Sequence, residues 1–358
     1  MQNISIIGIG LIGGSIAKAL KNSGKDFNIS AFDKHSVLDS AIEQKVIDAK
    51  LDNVEKAGNS ELIFLCLPTD LSLKTLIRLA PIISKNTIIT DVCGVKGIFE
   101  KEWKSLKSKG MYIGGHPMTG KESGGFENSD HLLFENSVYI ISNSEKNSDK
   151  LNKLTGIIKL LGARIRFLDP FLHDKIIAQV SHLPQLLAVT LVNSVSKNDN
   201  GVNYIDFAAG GFRDMTRIAS GSFDIWESII KMNKEEIVAA LKSININLSR
   251  LETLLKTENI NSLKELFEKA RVKRDEIPKN TKGFINPLYD IFVYVKDEPG
   301  VLSRLTTVLY ENSINIKDME LLKIREGTGG TFRISFQSQK DADKAEKVIK
   351  GIGFKTRL

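Results

Sequence analysis

The sequence predicts an α/β protein in three parts: an N-terminal Rossmann-like domain, an all-helical domain and a C-terminal ferredoxin-like βαββαβ domain. Three observations carry this. Residues 4–15 read as an apolar strand, a glycine turn and a helix start; residues 174–197 and 235–270 space their apolar residues as helix faces; and after a stretch rich in Pro, Gly and Asn, strand and helix patterns alternate to residue 358. At 358 residues the chain has room for two or three domains. The expected divisions are 1–168, 169–275, a linker over 276–287, and 288–358.

In chain order, the strand at residues 4–7 runs into Gly8-Ile-Gly10-Leu11-Ile12-Gly13 and a helix that ends near Gly24. Gly8 permits a tight turn, Gly10 lets a pyrophosphate approach the backbone, and Gly13 lets helix and strand pack closely, while the helix start at Leu11 and Ile12 offers unpaired N–H groups to phosphates. A second strand over 28–32 ends at Asp33, twenty residues beyond Gly13. A carboxylate there accepts hydrogen bonds from ribose hydroxyls and repels a 2′-phosphate, so NAD+ is expected over NADP+, with Lys34 the one neighbour that argues for the latter. Further strands are expected over 61–69 and 87–91. Ligands of such sheets lie beyond the carboxyl ends of the strands, which makes Pro68, Thr69, Asp91, Cys93 and Gly94 candidates for the nicotinamide side of a pocket. Lys96, near a helix start, reads either as a substrate contact or as a solvated surface lysine.

The glycine-rich stretch 114–125 holds His116, which is expected as a general base placed where backbone can closely approach a ligand; the bland alternative is an imidazole that only hydrogen-bonds its loop. His35 and His131 have no supporting motif. His173, just after Pro170, is expected to join a helix N-terminal cap. Pro184 interrupts the helix over 174–197 and frees the Val180 carbonyl, which would give His182 and Gln185 room to reach a ligand; His182 as an interior polar residue is the competing reading. Arg213 and Arg217, four residues apart, share a face if helical, and Arg217 is the candidate carboxylate clamp. Residues 235–270 read as long amphipathic helix forming a dimer core and an outer face.

Composition narrows the function classes. The net charge of +7 comes from scattered lysines without a dense basic tract or interleaved aromatics, which fits a solvated surface and an anionic small molecule rather than nucleic acid. No run of about 18 uncharged apolar residues occurs, and Met1 leads almost directly into a strand, so a cytoplasmic protein without membrane association is expected. Cys66 and Cys93 sit at strand ends and are expected to be reduced thiols.

Taken together, the glycine fingerprint, Asp91 to Lys96, Gly114 to Gly120, Ser181 to Gln185 and Gly210 to Arg217 resemble the prephenate dehydrogenase family over residues 3–275, and the C-terminal stretch resembles an ACT domain. The resemblance implies NAD-dependent oxidative decarboxylation of prephenate to 4-hydroxyphenylpyruvate in tyrosine biosynthesis, without a metal, by a homodimer joined through its helical domain. It places His116 on the histidine that takes the ring-hydroxyl proton, Arg217 on an arginine that binds a substrate carboxylate, and His182 and Gln185 in the substrate pocket. Gly94 stands where many relatives have a serine that contacts the catalytic histidine, and Gln185 where some have a second histidine, which leaves open what orients His116. The turn Asp297-Glu-Pro299-Gly300 before a helix at Val301 resembles the ligand loop of ACT domains, with tyrosine the expected effector. Two other readings are an arogenate dehydrogenase and a non-catalytic sensor of NAD and an amino acid.

Overall fold

Ile4, Ser5, Ile6 and Ile7 are all buried, as a strand covered on both faces of a parallel sheet requires. In the computed structural model, which describes residues 2–121, 123–142, 148–276, 288–325 and 329–357, they belong to β1 (Gln2–Ile7). There follow α1 (Leu11–Asn22), β2 (Phe27–Phe32), α2 (His35–Glu43), β3 (Ala49–Lys50), β4 (Leu62–Leu65), α3 (Thr69–Leu79), β5 (Ile88–Asp91), α4 (Gly97–Ser105) and β6 (Met111–Tyr112). The six strands form one parallel sheet in the order β3-β2-β1-β4-β5-β6. The strand order reverses between β1 and β4, the position at which open α/β sheets bind ligands beyond their carboxyl ends.

A second, smaller sheet, absent from the sequence reading, consists of β7 (Gly114–Pro117), β8 (Val138–Ser142) and β9 (Arg164–Leu168), with α5 (Asp149–Leu160) between the last two. β7 runs antiparallel to β8, and His116 is opposite Ile140. α1, α2 and α5 bury one face of the large sheet with Ile16, Leu20, Leu38, Leu154 and Ile158. α3 and α4 cover the other with Leu76, Leu79 and Phe99.

The helical part comprises α6 (Pro170–Ile177), a π-turn over Ala178–His182, α7 (Leu183–Val195), the short strands β10 (Asn198–Asp199) and β11 (Val202–Asn203), α8 (Gly210–Thr216), a 3-10 turn over Arg217–Ser220, α9 (Phe223–Met232), α10 (Lys234–Lys256) and α11 (Ile260–Asp275). The expected single helix over 235–270 is broken. Glu258 adopts φ +48°, and the Asn259 side chain accepts the Ser262 N–H at 3.1 Å to start α11 afresh. Instead of a simple kink at Pro184, the chain inserts the π-turn, in which the Leu183 N–H reaches the Ala178 carbonyl.

The run Pro170–Val195 is long and apolar enough, by composition, to cross a membrane. Here it carries the buried His173, Asp174, His182 and Gln185 and packs Ala178 and Leu183 against Ile237 and Ala240 of α10. That core is thin, and Phe207, Met215, Phe223 and Ile246 remain largely exposed around it, with relative exposures of 75%, 70%, 66% and 70%.

The chain divides into two compact units, Met1–Lys264 and Glu265–Leu358, the division falling within α11. The second unit contains β12 (Tyr289–Val295), α12 (Val301–Glu311), β13 (Asp318–Arg325), β14 (Gly329–Phe336), α13 (Gln339–Gly351) and β15 (Lys355–Arg357) in an antiparallel sheet ordered β13-β14-β12-β15. This is the expected βαββαβ arrangement. β13 begins at Asp318, after the Ile314 N–H has closed α12 on the Leu309 carbonyl. Of the linker expected over 276–287, residues 277–287 lie outside the described residues, as do residues 326–328.

The close approach of α1 to β1 gives a test. A Cβ on Gly13 would fall 2.0 Å from the Gly8 carbonyl oxygen and 3.0 Å from Ile6. Gly13→Ala is expected to destabilise the first unit by about 1–3 kcal/mol in urea unfolding and to weaken NAD+ binding; unchanged values for both would contradict this packing.

Candidate active site

At the carboxyl end of β1, Gly8 takes φ +93°, and Gly10 precedes α1 with open space around its α-carbon. No side chain caps α1, so the N–H groups of its first turn, beginning at Leu11 and Ile12, are available to an anion. Asp33 leaves β2 with its carboxylate accepting the N–H groups of Ile9 and Lys34, each at 2.7 Å, which holds it against the glycine turn. Pro68 precedes α3 and Thr69 opens it, again without a side-chain cap. These residues suit a dinucleotide: two helix starts with free donors, a glycine that admits phosphate, and an acid at the ribose position.

Beyond β5 the structure departs from a simple cofactor wall. Asp91 is fully buried; its Oδ1 accepts the Tyr112 hydroxyl at 2.8 Å and the Gly115 N–H at 3.2 Å, its Oδ2 accepts the Cys93 N–H at 3.0 Å, and the carboxylate pairs with the Lys96 ammonium. The reading of Lys96 as a solvated surface lysine is overturned. Its side chain has no exposed area, and its ammonium lies 5.1 Å from the centre of the Phe99 ring. Burial, then the charge of Asp91, pushes the Tyr112 phenol well above its usual value, so it remains a hydrogen-bond donor. Gly115 is required for β7 to approach β5, since a Cβ there would be 2.5 Å from the Asp91 carbonyl oxygen.

His116, on β7, is thereby placed beside Gly94: a Cβ added to that glycine would lie 3.8 Å from Cε1 and Nε2 of the imidazole. The opposite edge of the ring is held. His116 Nδ1 and His173 Nε2 are 2.9 Å apart, and His173 Nδ1 is 2.8 Å from Asp174 Oδ1. The same carboxylate accepts the backbone N–H groups of Lys96 and Gly97, both at 2.7 Å. A carboxylate only accepts, so His173 donates from Nδ1 and presents a lone pair at Nε2. His116 must then donate from Nδ1, which leaves its Nε2 lone pair free for a ligand proton.

This answers what orients His116 where a serine is missing, and it corrects the assignment of His173 to a helix cap. Asp169 caps α6 by accepting the Phe171 and Leu172 N–H groups, each at 3.0 Å, while the His173 ring is fully buried against His116. His35 and His131 are exposed. Burial, followed by the neighbouring His173, holds the His116 imidazole well below its usual value; burial lowers His173 too, with the Asp174 hydrogen bond opposing it. Desolvation likewise raises Cys93 to about 12 and Cys66 well above the ordinary thiol value, so both remain thiols.

The π-turn ends at His182, which is 2% exposed and meets Trp226 edge-on at 5.9 Å. Asn233 Nδ2 lies 3.0 Å from the Asp174 carbonyl oxygen and 3.3 Å from His182 Nδ1, joining α6, the π-turn and the start of α10. Gln185, one turn on, is also buried, and its Nε2 lies 3.8 Å from the Cβ position of Gly221. Arg217 is exposed and opens the 3-10 turn after α8 has ended at Thr216, so Arg213 and Arg217 do not share one α-helical face as their spacing suggested. The turn does pack on α7, which carries Gln185. His116, Gly94, Asp91, Lys96 and His182 are linked through shared partners; Asp174, Asn233 and Tyr112 complete the network and were missed in the sequence. An adjacent His-Asp pair on an otherwise apolar helix was the available signal.

In the second unit, Gly300 takes φ +84° and starts α12, and Asp297, Gly300 and Val301 line a cavity of about 380 Å³ with Val295, Leu321 and Phe332; Pro299 is not part of its lining.

Burial pushes His182 down to about 4, with Asp174 opposing it. Its unfolded value is about 6.5, so as pH falls from about 6.5 to about 4 the unfolded chain binds a proton that the native chain does not. Stability should fall over that window, and less steeply in His182→Gln, as read from urea midpoints at several pH values.

Residues 16–167 match the family described as "Prephenate dehydrogenase, nucleotide-binding domain", residues 169–269 match "Prephenate dehydrogenase, dimerization domain", and residues 289–354 match the ACT domain. The chain is 33% identical over 356 residues to prephenate dehydrogenase of Bacillus subtilis, covering 97% of this chain and 95% of that protein. It is also 33% identical over 356 residues to the Lactococcus lactis prephenate dehydrogenase, covering 98% of each. Among solved structures, A. aeolicus prephenate dehydrogenase in complex with hydroxyphenyl propionate and NAD+ superposes with TM-score 0.72 at 30% identity, covering 77% of this chain and 98% of that one. Synechocystis arogenate dehydrogenase superposes with TM-score 0.69 at 28% identity, covering 76% and 99%. With its nucleotide-binding, dimerization and ACT parts each matched in chain order, and relatives 33% identical over nearly its full length, the chain belongs to the prephenate dehydrogenase family.

Proposed function

We propose that this chain oxidatively decarboxylates prephenate to 4-hydroxyphenylpyruvate with NAD+. The observation that carries the reading is His116, whose Nδ1 is tied to His173 while its Nε2 is left as a proton acceptor beside Gly94. In the proposed reaction Nε2 removes the ring-hydroxyl proton, the carbinol carbon becomes a carbonyl as hydride departs, and loss of carbon dioxide restores an aromatic ring. Bound NAD+ supplies the hydride acceptor. Gly8, Gly10, Gly13, Asp33, Pro68 and Thr69 hold the dinucleotide; Arg217 grips a substrate carboxylate; His182 and Gln185 border the substrate. Asp91 and Lys96, bound to each other, keep the wall in place rather than touching substrate.

Prephenate differs from arogenate in carrying a keto group where arogenate carries an ammonium. The relatives at 33% identity over nearly the whole chain are named prephenate dehydrogenases, which supports prephenate. The uncovered apolar helices support a homodimer of this chain through residues 169–275. The 380 Å³ cavity of the second unit, apolar inside with Lys296, Asp297 and Glu298 among its lining, supports an amino-acid effector, for which tyrosine is the natural candidate.

Following NADH formation with prephenate and with arogenate tests the reading: prephenate should be turned over faster, and tyrosine should suppress the rate. His116→Asn should lower kcat by about 10²–10⁴ without weakening NAD+ binding; an unchanged kcat would remove His116 from the chemistry and favour a sensor. Arg217→Ala should raise KM for prephenate by about 10- to 100-fold, the loss of a charged hydrogen bond.

A further inference from the structure

The hydrogen-bond chain behind His116 ends on a carboxylate, and its middle member is the better place for a positive charge. We propose that when His116 accepts the substrate proton at Nε2 it passes its own Nδ1 proton to Nε2 of His173, so that the charge of the abstracted proton comes to rest on the His173–Asp174 pair. This rests on the reading of His116 as the base. In bonds, the substrate O–H breaks as His116 Nε2–H forms, and His116 Nδ1–H breaks as His173 Nε2–H forms. The substrate's C–H electron pair leaves as hydride. Loss of carbon dioxide turns the new carbonyl oxygen into a phenolate, which takes the Nε2 proton back from His116 as the other proton returns from His173 to His116 Nδ1, and the chain is reset.

The geometry is that of a transfer path. The two nitrogens are 2.9 Å apart, with the rings edge-on at 69°. His173 is fully buried. Facing it are Asp174 on its own helix, His116 on β7, His182 on the π-turn, and the Lys96–Asp91 pair on the segment between β5 and α4. Those groups are two neutral rings, one neutralised ion pair and one carboxylate at 2.8 Å, so an imidazolium at His173 has a direct counterion, whereas one at His116 is separated from it by a whole ring. The opposing effect of Asp174 on the lowered His173 value points the same way.

Asp174 is itself fixed, since Oδ2 takes the Gly97 N–H and a Cβ on Gly97 would lie only 2.9 Å from that oxygen. Passing the charge back one ring leaves His116 neutral, with an Nε2–H that donates to the carbonyl oxygen just formed. His173 and Asp174 are thus positioning residues that also store the proton.

Two measurements decide this. Long-range ¹H–¹⁵N spectra of the full-length protein near neutral pH, with ring signals assigned through His116→Asn and His173→Gln, should show both rings protonated at Nδ1. A proton on Nε2 of His116 overturns the proposal whatever the substrate. In kinetics, His173→Gln keeps an acceptor for His116 but cannot hold the charge: kcat should fall about 10- to 100-fold with KM for prephenate nearly unchanged, and the acid limb of kcat/KM should move down by about one pH unit, because His116 must then carry the charge without Asp174. Asp174→Asn should move the limb in the same direction. An unmoved limb with kcat preserved overturns the proposal. If the wild-type protein shows the Nδ1–H pattern but does not oxidise prephenate, the substrate assignment fails while the hydrogen-bond chain stands.

Discussion

The buried carboxylate of Asp91 is the constraint from which the site is built. It ends β5, accepts from β6 through Tyr112 and from β7 through Gly115, and neutralises Lys96 just before α4. Burying two charges together is costly unless every lone pair is met, and here four donors converge on two oxygens. Loss of either member would leave an isolated charge with no water to solvate it, a defect of about 3–5 kcal/mol. Tying β7 to β5 determines where His116 stands relative to the nucleotide end of the sheet.

Asp174 performs the corresponding task for the helical part. With one carboxylate it fastens α6 to the start of α4 and fixes the His173 tautomer, and its backbone carbonyl receives Asn233 from the start of α10. The two acids lie on either side of Lys96, whose side chain serves the first and whose backbone N–H serves the second. One residue thus joins the sheet and the helices beside His116.

What was legible in the sequence follows from how local each constraint is. The strand–turn–helix around Gly8 to Gly13 is dictated by backbone geometry within a dozen residues, and the βαββαβ order follows from strand and helix periodicity. His116 could be singled out because its glycine neighbours are adjacent in the chain. His173 could not: its partner is 57 residues away, and Pro170 beside it suggested a cap that Asp169 in fact provides. Lys96 looked like a surface lysine because its counterion depends on the turn between Asp91 and Lys96 folding back on itself. The break between α10 and α11 hung on the positive φ of Glu258, which helix propensity does not announce. The second small sheet, with its mixed parallel and antiparallel pairing, had no periodic signature strong enough to separate it from loop.

The π-turn over Ala178–His182 places His173 and Asp174 before one extra residue and His182 and Gln185 after it. A helix turns by about 100° per residue, so shortening that segment by one would restore an ordinary α-helix and swing the two pairs round the axis relative to each other. The helix therefore works as an indexed shaft, in which the length of five residues sets the angular phase between His173 and Asp174 on one side and His182 and Gln185 on the other, and substitutions within the turn are far easier to accommodate than any change in its length.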